Sequence, residues 1–311
     1  MSYFTSDWDY AWIALVAWLV VLVHERGLRS INSRSTPAHA RARRRRMWLS
    51  YAGIAVAVLS VVSPLQFWSM EYFWVHMLQH LTVMLAAPAL YVAGAPAVPL
   101  LHSIPVRARR RILKNVFLRA TRHPLRRICA VVFSPAVGIL FFNVVMVAWM
   151  LPGLFDPVMA RPTLHIGLML TTFFASGALF WLQFIPSAPL RPRLTPFAQV
   201  GALVTTNLIM TFIAITLSFF VSSPSYDFGA MMAMAGRPGA ITTLNPLADQ
   251  HIGAAILWVC GDFWCLPAIV IAFRRAIDGG EASAAMDRFL RGRKSVTAEE
   301  FRSGATETAT T

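Results

Sequence analysis

Residues 71–93 read EYFWVHMLQHLTVMLAAPALYVA and carry one charged side chain, Glu71, at their first position. A helix crosses the hydrocarbon core of a bilayer with roughly 20 consecutive, mostly apolar residues. The stretch has that length and that character, so it predicts a transmembrane helix. Pro88 predicts a kink within this helix, and Gly94 followed by Pro96 predicts its end.

Apolar stretches of similar character recur along the whole chain. Together with 71–93, six further segments predict about seven transmembrane helices: 8–23, 47–67, 128–150, 163–185, 198–221 and 250–273. The composition agrees, because 57% of the 311 residues are hydrophobic and 14% are charged, whereas a soluble domain carries about 25% charged residues. The predicted fold is an all-α polytopic membrane bundle. Residues 1–275 form its transmembrane domain, and residues 276–311 form a polar, disordered cytoplasmic tail.

The positive charges predict how the bundle is oriented. The net charge is +14, but Lys and Arg are concentrated in short blocks between apolar segments. Residues 24–46 contain eight Arg and one Glu, and residues 102–127 contain eight Arg and one Lys without any acid. Such loops face the cytoplasm, so the N-terminus is predicted outside and the C-terminus inside. This distribution indicates anionic lipid headgroups and not nucleic acid as the partner of the charge, in a multi-pass protein of the cytoplasmic membrane.

The predicted topology sorts the eight histidines into two groups. Four lie in or beside the arginine-rich cytoplasmic blocks and are expected to be solvated: His24, His39, His102 and His123. The other four fall at the predicted outer, periplasmic side, on three different helices: His76, His80, His165 and His251.

His76 and His80 are four residues apart and therefore share one face of a helix, and Met84 continues that face by a further turn. Two such imidazoles can ligate one metal ion, and neighbouring helices would supply the remaining ligands. Imidazole suits copper and zinc, and the thioether of Met84 favours Cu(I). The alternative is a structural set of histidines that hydrogen-bond across the bundle.

Three acidic residues have open roles. Asp262 lies three helical turns after His251, where it either carries a proton inward or pairs with an arginine at the inner end. Glu71 and Asp249 lie at the outer boundary, where they either orient the imidazoles or are interfacial residues. Asn143 and Asn207 are expected to form hydrogen bonds between helices.

Several motifs resemble those of the CtaG-type cytochrome c oxidase assembly factors, which are multi-span proteins associated with caa3-type oxidases. The resemblance covers about residues 65–275. Its motifs are His76-Met77-Leu78-Gln79-His80 with Pro88 and Gly94-Ala95-Pro96; His165 with Gly177, Phe180-Trp181 and Pro186; and Asp249-Gln250 with Gly253 and Trp258. Leu257 stands before Trp258, where that family usually has a methionine. His251 ranks below the other three histidines, because an apolar residue often follows the Asp-Gln pair.

The resemblance implies a non-enzymatic role in the maturation of a haem-copper oxidase. Copper would bind transiently to His76, His80, His165 and His251, and pass to cytochrome c oxidase subunits at the outer face. Met84 is added to these ligands only because of its place on the helix face of His76 and His80. Three alternatives stay open at this point: a copper or other ion transporter, a b-type cytochrome in which two histidines ligate haem, and a scaffold for oxidase subunits that binds no metal. The sequence does not predict the oligomeric state.

Overall fold

A computed structural model describes residues 11–113, 124–226 and 244–278, and within these ranges the protein is built of helices joined by short connections. The helices are α1 (Ala11–Asn32), α2 (Pro37–Val62), α3 (Pro64–Glu71), α4 (Phe73–Ala93), α5 (Ala97–Ser103), α6 (Val106–Leu113), α7 (Pro124–Val132), α8 (Pro135–Ala148), α9 (Pro152–Met159), α10 (His165–Trp181), α11 (Pro196–Phe220) and α12 (Pro246–Asp278). A three-residue helical turn, Pro162–Leu164, leads into α10.

In the described part of each of the seven segments that were predicted to cross the membrane there is a helix, but fewer of these helices qualify as spans. Four described helices are long and apolar enough to cross a membrane, namely α2, α4, α11 and α12; α7 and α8, bent by 55° at their junction, bring the number to five if they form one span. The remaining two predicted spans fall in helices with shorter apolar stretches. In α1 the apolar stretch ends at Val23, shortly before Glu25 and Arg26, and α10 has 17 residues. Seven spans and the orientation of the termini therefore stay predictions.

Helix starts follow a simple local pattern of a hydroxyl residue and then proline. Ser63, Ser134 and Thr195 each cap a helix by accepting a hydrogen bond from a backbone N–H two or three residues ahead. The following proline occupies the first helical position, where its missing N–H is not needed. The predicted helix stop after residue 93 is confirmed, because α4 ends at Ala93.

The helix α4 is the centre of the bundle. It packs against α2, α3, α10 and α12, and 67% of its apolar stretch is buried, compared with 33% or less for α2, α11 and α12. Those outer helices turn large apolar side chains outward, such as Phe212, Phe219 and Phe263, which are at least 70% exposed. A protein surface of this kind fits a lipid environment. Of the predicted disordered tail, residues 276–278 continue α12, and the rest lies outside the described residues.

Candidate metal centre

Three of the four predicted histidine ligands meet in the interior of the bundle. His76 and His80 lie on α4 and His165 begins α10; all three are at most 2% exposed. Each offers a ring nitrogen, and these nitrogens lie within 4.8 Å of one another. The ring centroids are 4.0 Å apart for His76 and His80, 5.0 Å for His76 and His165, and 6.0 Å for His80 and His165. We call these residues the histidine cluster.

The hydrogen bonds of the histidine cluster leave ring nitrogens available. In His76, Nδ1 donates to the carbonyl oxygen of Ser69 over 3.1 Å, which directs Nε2 toward the cluster as the atom with the lone pair. Both ring nitrogens of His80 and of His165 are buried and have no hydrogen-bond partner among the described residues. Buried polar atoms are normally paired, so the unpaired ring nitrogens of His80 and His165 are the feature of this cluster that requires an explanation.

The backbone beside the histidine cluster departs from the regular α-helix in two places. A π-turn at Thr82–Ala86 follows His80, and a second π-turn begins at His165 and runs to Leu170. In α4, Pro88 follows the π-turn by two residues, and it has no N–H to donate to the preceding turn. Single π-turns within α-helices occur frequently at functional sites. The kink that Pro88 predicted thus takes the form of a widened turn.

Two residues of α10 make close contacts with α4, the other helix that carries the histidine cluster. Gly177 lies so near to α4 that a Cβ atom there would stand 2.1 Å from the carbonyl oxygen of Met84. One turn further, the indole N–H of Trp181 donates over 3.0 Å to the carbonyl oxygen of Leu85, within the π-turn. The glycine and tryptophan noted in the sequence therefore have a physical role, because they bring α10 against α4 and pair a carbonyl group of its π-turn.

A carboxylate from the far end of the chain caps the helix that bears His76 and His80. Asp249, in α12, accepts hydrogen bonds from the backbone N–H groups of Phe73 at 2.7 Å and Trp74 at 3.0 Å. These are N–H groups of the first turn of α4, which have no intrahelical partner. Sequence reasoning considered two roles for Asp249, orienting an imidazole and being an interfacial residue, and the structure instead shows this cap, which holds the helix start.

The next residue extends the same connection. Gln250 donates from Nε2 to the carbonyl oxygen of Leu217 over 3.0 Å, and its Oε1 accepts from the N–H of Ser225 over 2.7 Å. Leu217 belongs to a third π-turn, Thr216–Phe220, at the end of α11. Asp249 and Gln250 therefore hold α4, α11 and the segment after α11 together. Sequence reasoning recognised the pair as a motif but did not find this role, since both partners are backbone groups far away in sequence.

The other two predicted ligands occupy different positions. Met84 is 2% exposed and lies in the π-turn one turn after His80. His251 is half-buried on α12 and does not join the group of mutually close ring nitrogens, although its Nε2 has no hydrogen-bond partner among the described residues. Aromatic rings flank the cluster: Phe155 lies 5.3 Å from His76 and Phe173 lies 4.8 Å from His80, measured between ring centroids.

Two further residues make contacts that the sequence did not predict. Asp262 accepts a hydrogen bond of 2.7 Å from the side-chain amide of Asn207, so an amide takes the place of the arginine partner, and the alternative that Asp262 carries a proton inward stays a prediction. His24 was expected in a solvated loop but is 0% exposed, with Nδ1 donating to the carbonyl oxygen of Val20 over 2.6 Å. The reason is that α1 continues through the charged block and places His24 on its packed face. As expected, Asn143 donates across the bundle to Thr206 over 3.1 Å.

Comparisons with known proteins agree with the motifs. The sequence profile of the family described as cytochrome c oxidase caa3 assembly factor (Caa3_CtaG) matches residues 17–278. Uncharacterized proteins of Mycobacterium leprae and Mycobacterium tuberculosis are 26% identical to the chain over 234 and 235 residues, which is 72% of this chain and 32% of each relative. The chain thus spans about a third of the length of these curated relatives. No solved structure matches the chain significantly.

Proposed function

Because this chain belongs to the cytochrome c oxidase caa3 assembly factor family, we propose that it binds copper at the histidine cluster and passes it to a cytochrome c oxidase during assembly. The observation that carries the proposal is the buried convergence of His76, His80 and His165 from two helices. Oxidase subunits are the proposed partners. Copper is the cargo in this proposal, and the chain turns over no small-molecule substrate.

The donor set fits a transition metal of this kind. Metal–nitrogen bonds to imidazole are about 2.0–2.1 Å long, so three nitrogens around one ion stand about 3.5 Å apart. The ligand nitrogens here lie within 4.8 Å of one another, a separation that small rotations of the rings reduce to the required one. Imidazole ligates copper in its neutral form, through whichever nitrogen carries the lone pair.

Neighbouring groups supply orientation and selectivity. The hydrogen bond from His76 Nδ1 to Ser69 fixes one ring so that Nε2 is the ligand atom, and outer partners of this sort commonly tune the affinity of metal-bound histidines. Met84 lies one turn from His80, and a thioether near three imidazoles favours Cu(I) over zinc. Because these ligands are neutral, the charge left inside the bundle is that of the ion alone, +1 for Cu(I) and +2 for zinc, and the smaller charge costs less to bury.

The cheapest decisive experiment is copper analysis of the purified chain after loading with Cu(I) under reducing conditions in detergent. About one copper per chain is expected, with loss of that copper in the His76→Ala/His80→Ala and His165→Ala variants. His251→Ala is the matched histidine control and retains copper, because its ring stands outside the cluster. The Met84→Leu variant still binds copper, but its preference for Cu(I) over zinc is lower than that of the wild type.

Measurements on the wild type and on these variants distinguish the proposed copper site from the alternative functions. Copper retained in the His76→Ala/His80→Ala variant contradicts the proposed site. A haem absorption band in the wild-type protein identifies a cytochrome, and copper flux into liposomes that contain the pure chain identifies a transporter. Full oxidase activity in cells whose chain lacks all three cluster histidines leaves a scaffold role for this protein.

A further inference from the structure

A basic cavity lies at the end of the bundle opposite to the starts of α4 and α10. Its volume is about 380 Å³, and its walls are formed by α2, by the turn after α4, by α5 and by the connection that leads to α11. Arg43 and Arg46 line it from α2, and Gly94, Val98 and Ala188 line it from the other elements. It therefore has two guanidinium groups on one wall and mostly apolar or backbone groups on the others.

The charge of these two arginines is not balanced by a carboxylate among the described residues. Residues 24–46 contain one acid, Glu25, against eight arginines. Within the described residues, Glu25 pairs with Arg29 and Arg44, and no carboxylate pairs with Arg43 or Arg46. A guanidinium group at the edge of a membrane protein commonly finds a phosphate or carboxylate partner, with which it forms strong, often bidentate hydrogen bonds.

Neutral groups already hold both guanidinium groups in place. Arg43 donates from Nη1 to the side chains of Asn32 and Ser35. Arg46 donates from Nε to the carbonyl oxygen of Ala93 at 2.8 Å and from Nη2 to that of Pro186. Because a guanidinium group has five N–H bonds, each arginine keeps further donors beside those used. A preorganised pair of this kind binds an anion with little loss of side-chain freedom.

The position of the cavity along the membrane normal is indicated by an aromatic residue. Trp48 follows Arg46 by two residues on α2 and is 61% exposed, with its ring 5.6 Å from that of Tyr51. Exposed tryptophan and tyrosine residues of membrane helices concentrate at the level of the lipid headgroups. The two arginines lie just beyond this level, where the phosphate groups of the lipids are found.

From these observations we propose that the cavity is a binding site for the phosphate of an anionic phospholipid headgroup, held by Arg43 and Arg46. The acyl chains of the lipid extend along the apolar side of α2. The site is separate from the histidine cluster, and it joins α2, α4 and α5 where the structure itself supplies no acid. Basic pockets between helices on the arginine-rich side of membrane proteins recognise headgroups in this way.

Native mass spectrometry of the delipidated full chain in detergent tests the proposal, with phosphatidylglycerol, phosphatidylcholine and inorganic phosphate as separate probes. One phosphatidylglycerol binds the wild type with preference over phosphatidylcholine. Arg43→Gln/Arg46→Gln weakens this binding by about tenfold or more, because it removes both charged donors. Arg41→Gln/Arg45→Gln, which removes the same charge from exposed positions of the same helix, changes it by less than about twofold.

A third variant separates binding from folding. Val98→Phe fills the cavity while both arginines and the net charge are kept, so it also loses the lipid, and its melting temperature without lipid shows whether it is folded. Equal losses in the two arginine double variants contradict a specific site and identify a diffuse electrostatic attraction. Inorganic phosphate that stabilises the chain and displaces phosphatidylglycerol assigns the cavity to a soluble anion and overturns the lipid proposal.

Discussion

The cap that Asp249 provides for α4 gives a quantitative prediction for the variant Asp249→Ala. The carboxylate accepts from the N–H groups of Phe73 and Trp74 at 2.7 and 3.0 Å, and it is 7% exposed. A lost helix cap costs about 0.5–2 kcal/mol, and hydrogen bonds to a charged group lie above the neutral average at about 1.5–3 kcal/mol each. Because the freed N–H groups sit at a helix end and regain some hydration, we expect a loss of about 2 kcal/mol.

For 311 residues, with an unfolding entropy of about 2.1 cal/mol/K per residue, 2 kcal/mol corresponds to a fall in melting temperature of about 3 °C. Thermal unfolding in detergent measures this fall, and hydrogen exchange of the peptides that contain residues 72–78 locates it at the start of α4. The control is Asp156→Asn, which removes an exposed acid of α9 and leaves both readouts within error. If Asp249→Ala unfolds like the wild type and residues 72–78 remain protected, the cap does not hold α4, and the account of the site must change.

Three further predictions concern other contacts. Gly177→Ala places a Cβ atom 2.1 Å from the carbonyl oxygen of Met84 and destabilises the protein by about 1–3 kcal/mol in thermal unfolding, whereas Gly167→Ala, on the same helix with nothing within 4 Å, does not; equal effects would contradict the close approach of α10 to α4. A double-mutant cycle of Asn207→Ala and Asp262→Ala gives a coupling energy of about 0.6–1.7 kcal/mol, and a value of zero would show that the 2.7 Å hydrogen bond has no energetic weight. Glu25 lies after the apolar part of α1; although its partial burial raises the pKa of its carboxyl, hydrogen bonds from Tyr51 and Arg44 lower that pKa below 4.5. Its stabilising contribution is therefore present above pH 4.5 and is lost as the pH falls through the lowered pKa, and Glu25→Gln, compared with the wild type in melting curves from pH 3 to 7, removes this dependence.

The helical fold and the histidine pair were accessible from the sequence because both depend on local patterns. Apolar length predicts a buried helix, and a spacing of four predicts a shared face, so His76 and His80 were placed together correctly. His165 was matched to them through a side-of-membrane argument, and the structure brings it into the same cluster. The assignment of the chain to the assembly factor family rested on motifs and is confirmed by the profile match.

Other features were beyond local reasoning. The side chains of Asp249 and Trp181 form hydrogen bonds with backbone groups, which every residue has. The sequence therefore does not indicate which backbone group each side chain contacts. His24 looked like a loop residue because charged neighbours surround it, yet the helix continues and buries it. The number of spans was also hard to predict where helices bend, as at the junction of α7 and α8. An apolar stretch in the sequence crosses a bilayer only if it forms one sufficiently straight helix.

The two ends of α4 are held by residues that the ribosome makes at different times. Arg46, which precedes α4 in the sequence, donates to the carbonyl oxygen of Ala93 at the end of α4. Asp249, which caps the start of α4, comes 176 residues after Phe73. The helix that carries His76 and His80 therefore receives its contact at Ala93 from a residue made before it, and its cap at Phe73 only after Asp249 has been made. Under the proposal that the histidine cluster binds copper, full affinity is expected only after Asp249 has been made, so nascent or truncated forms would bind the metal more weakly.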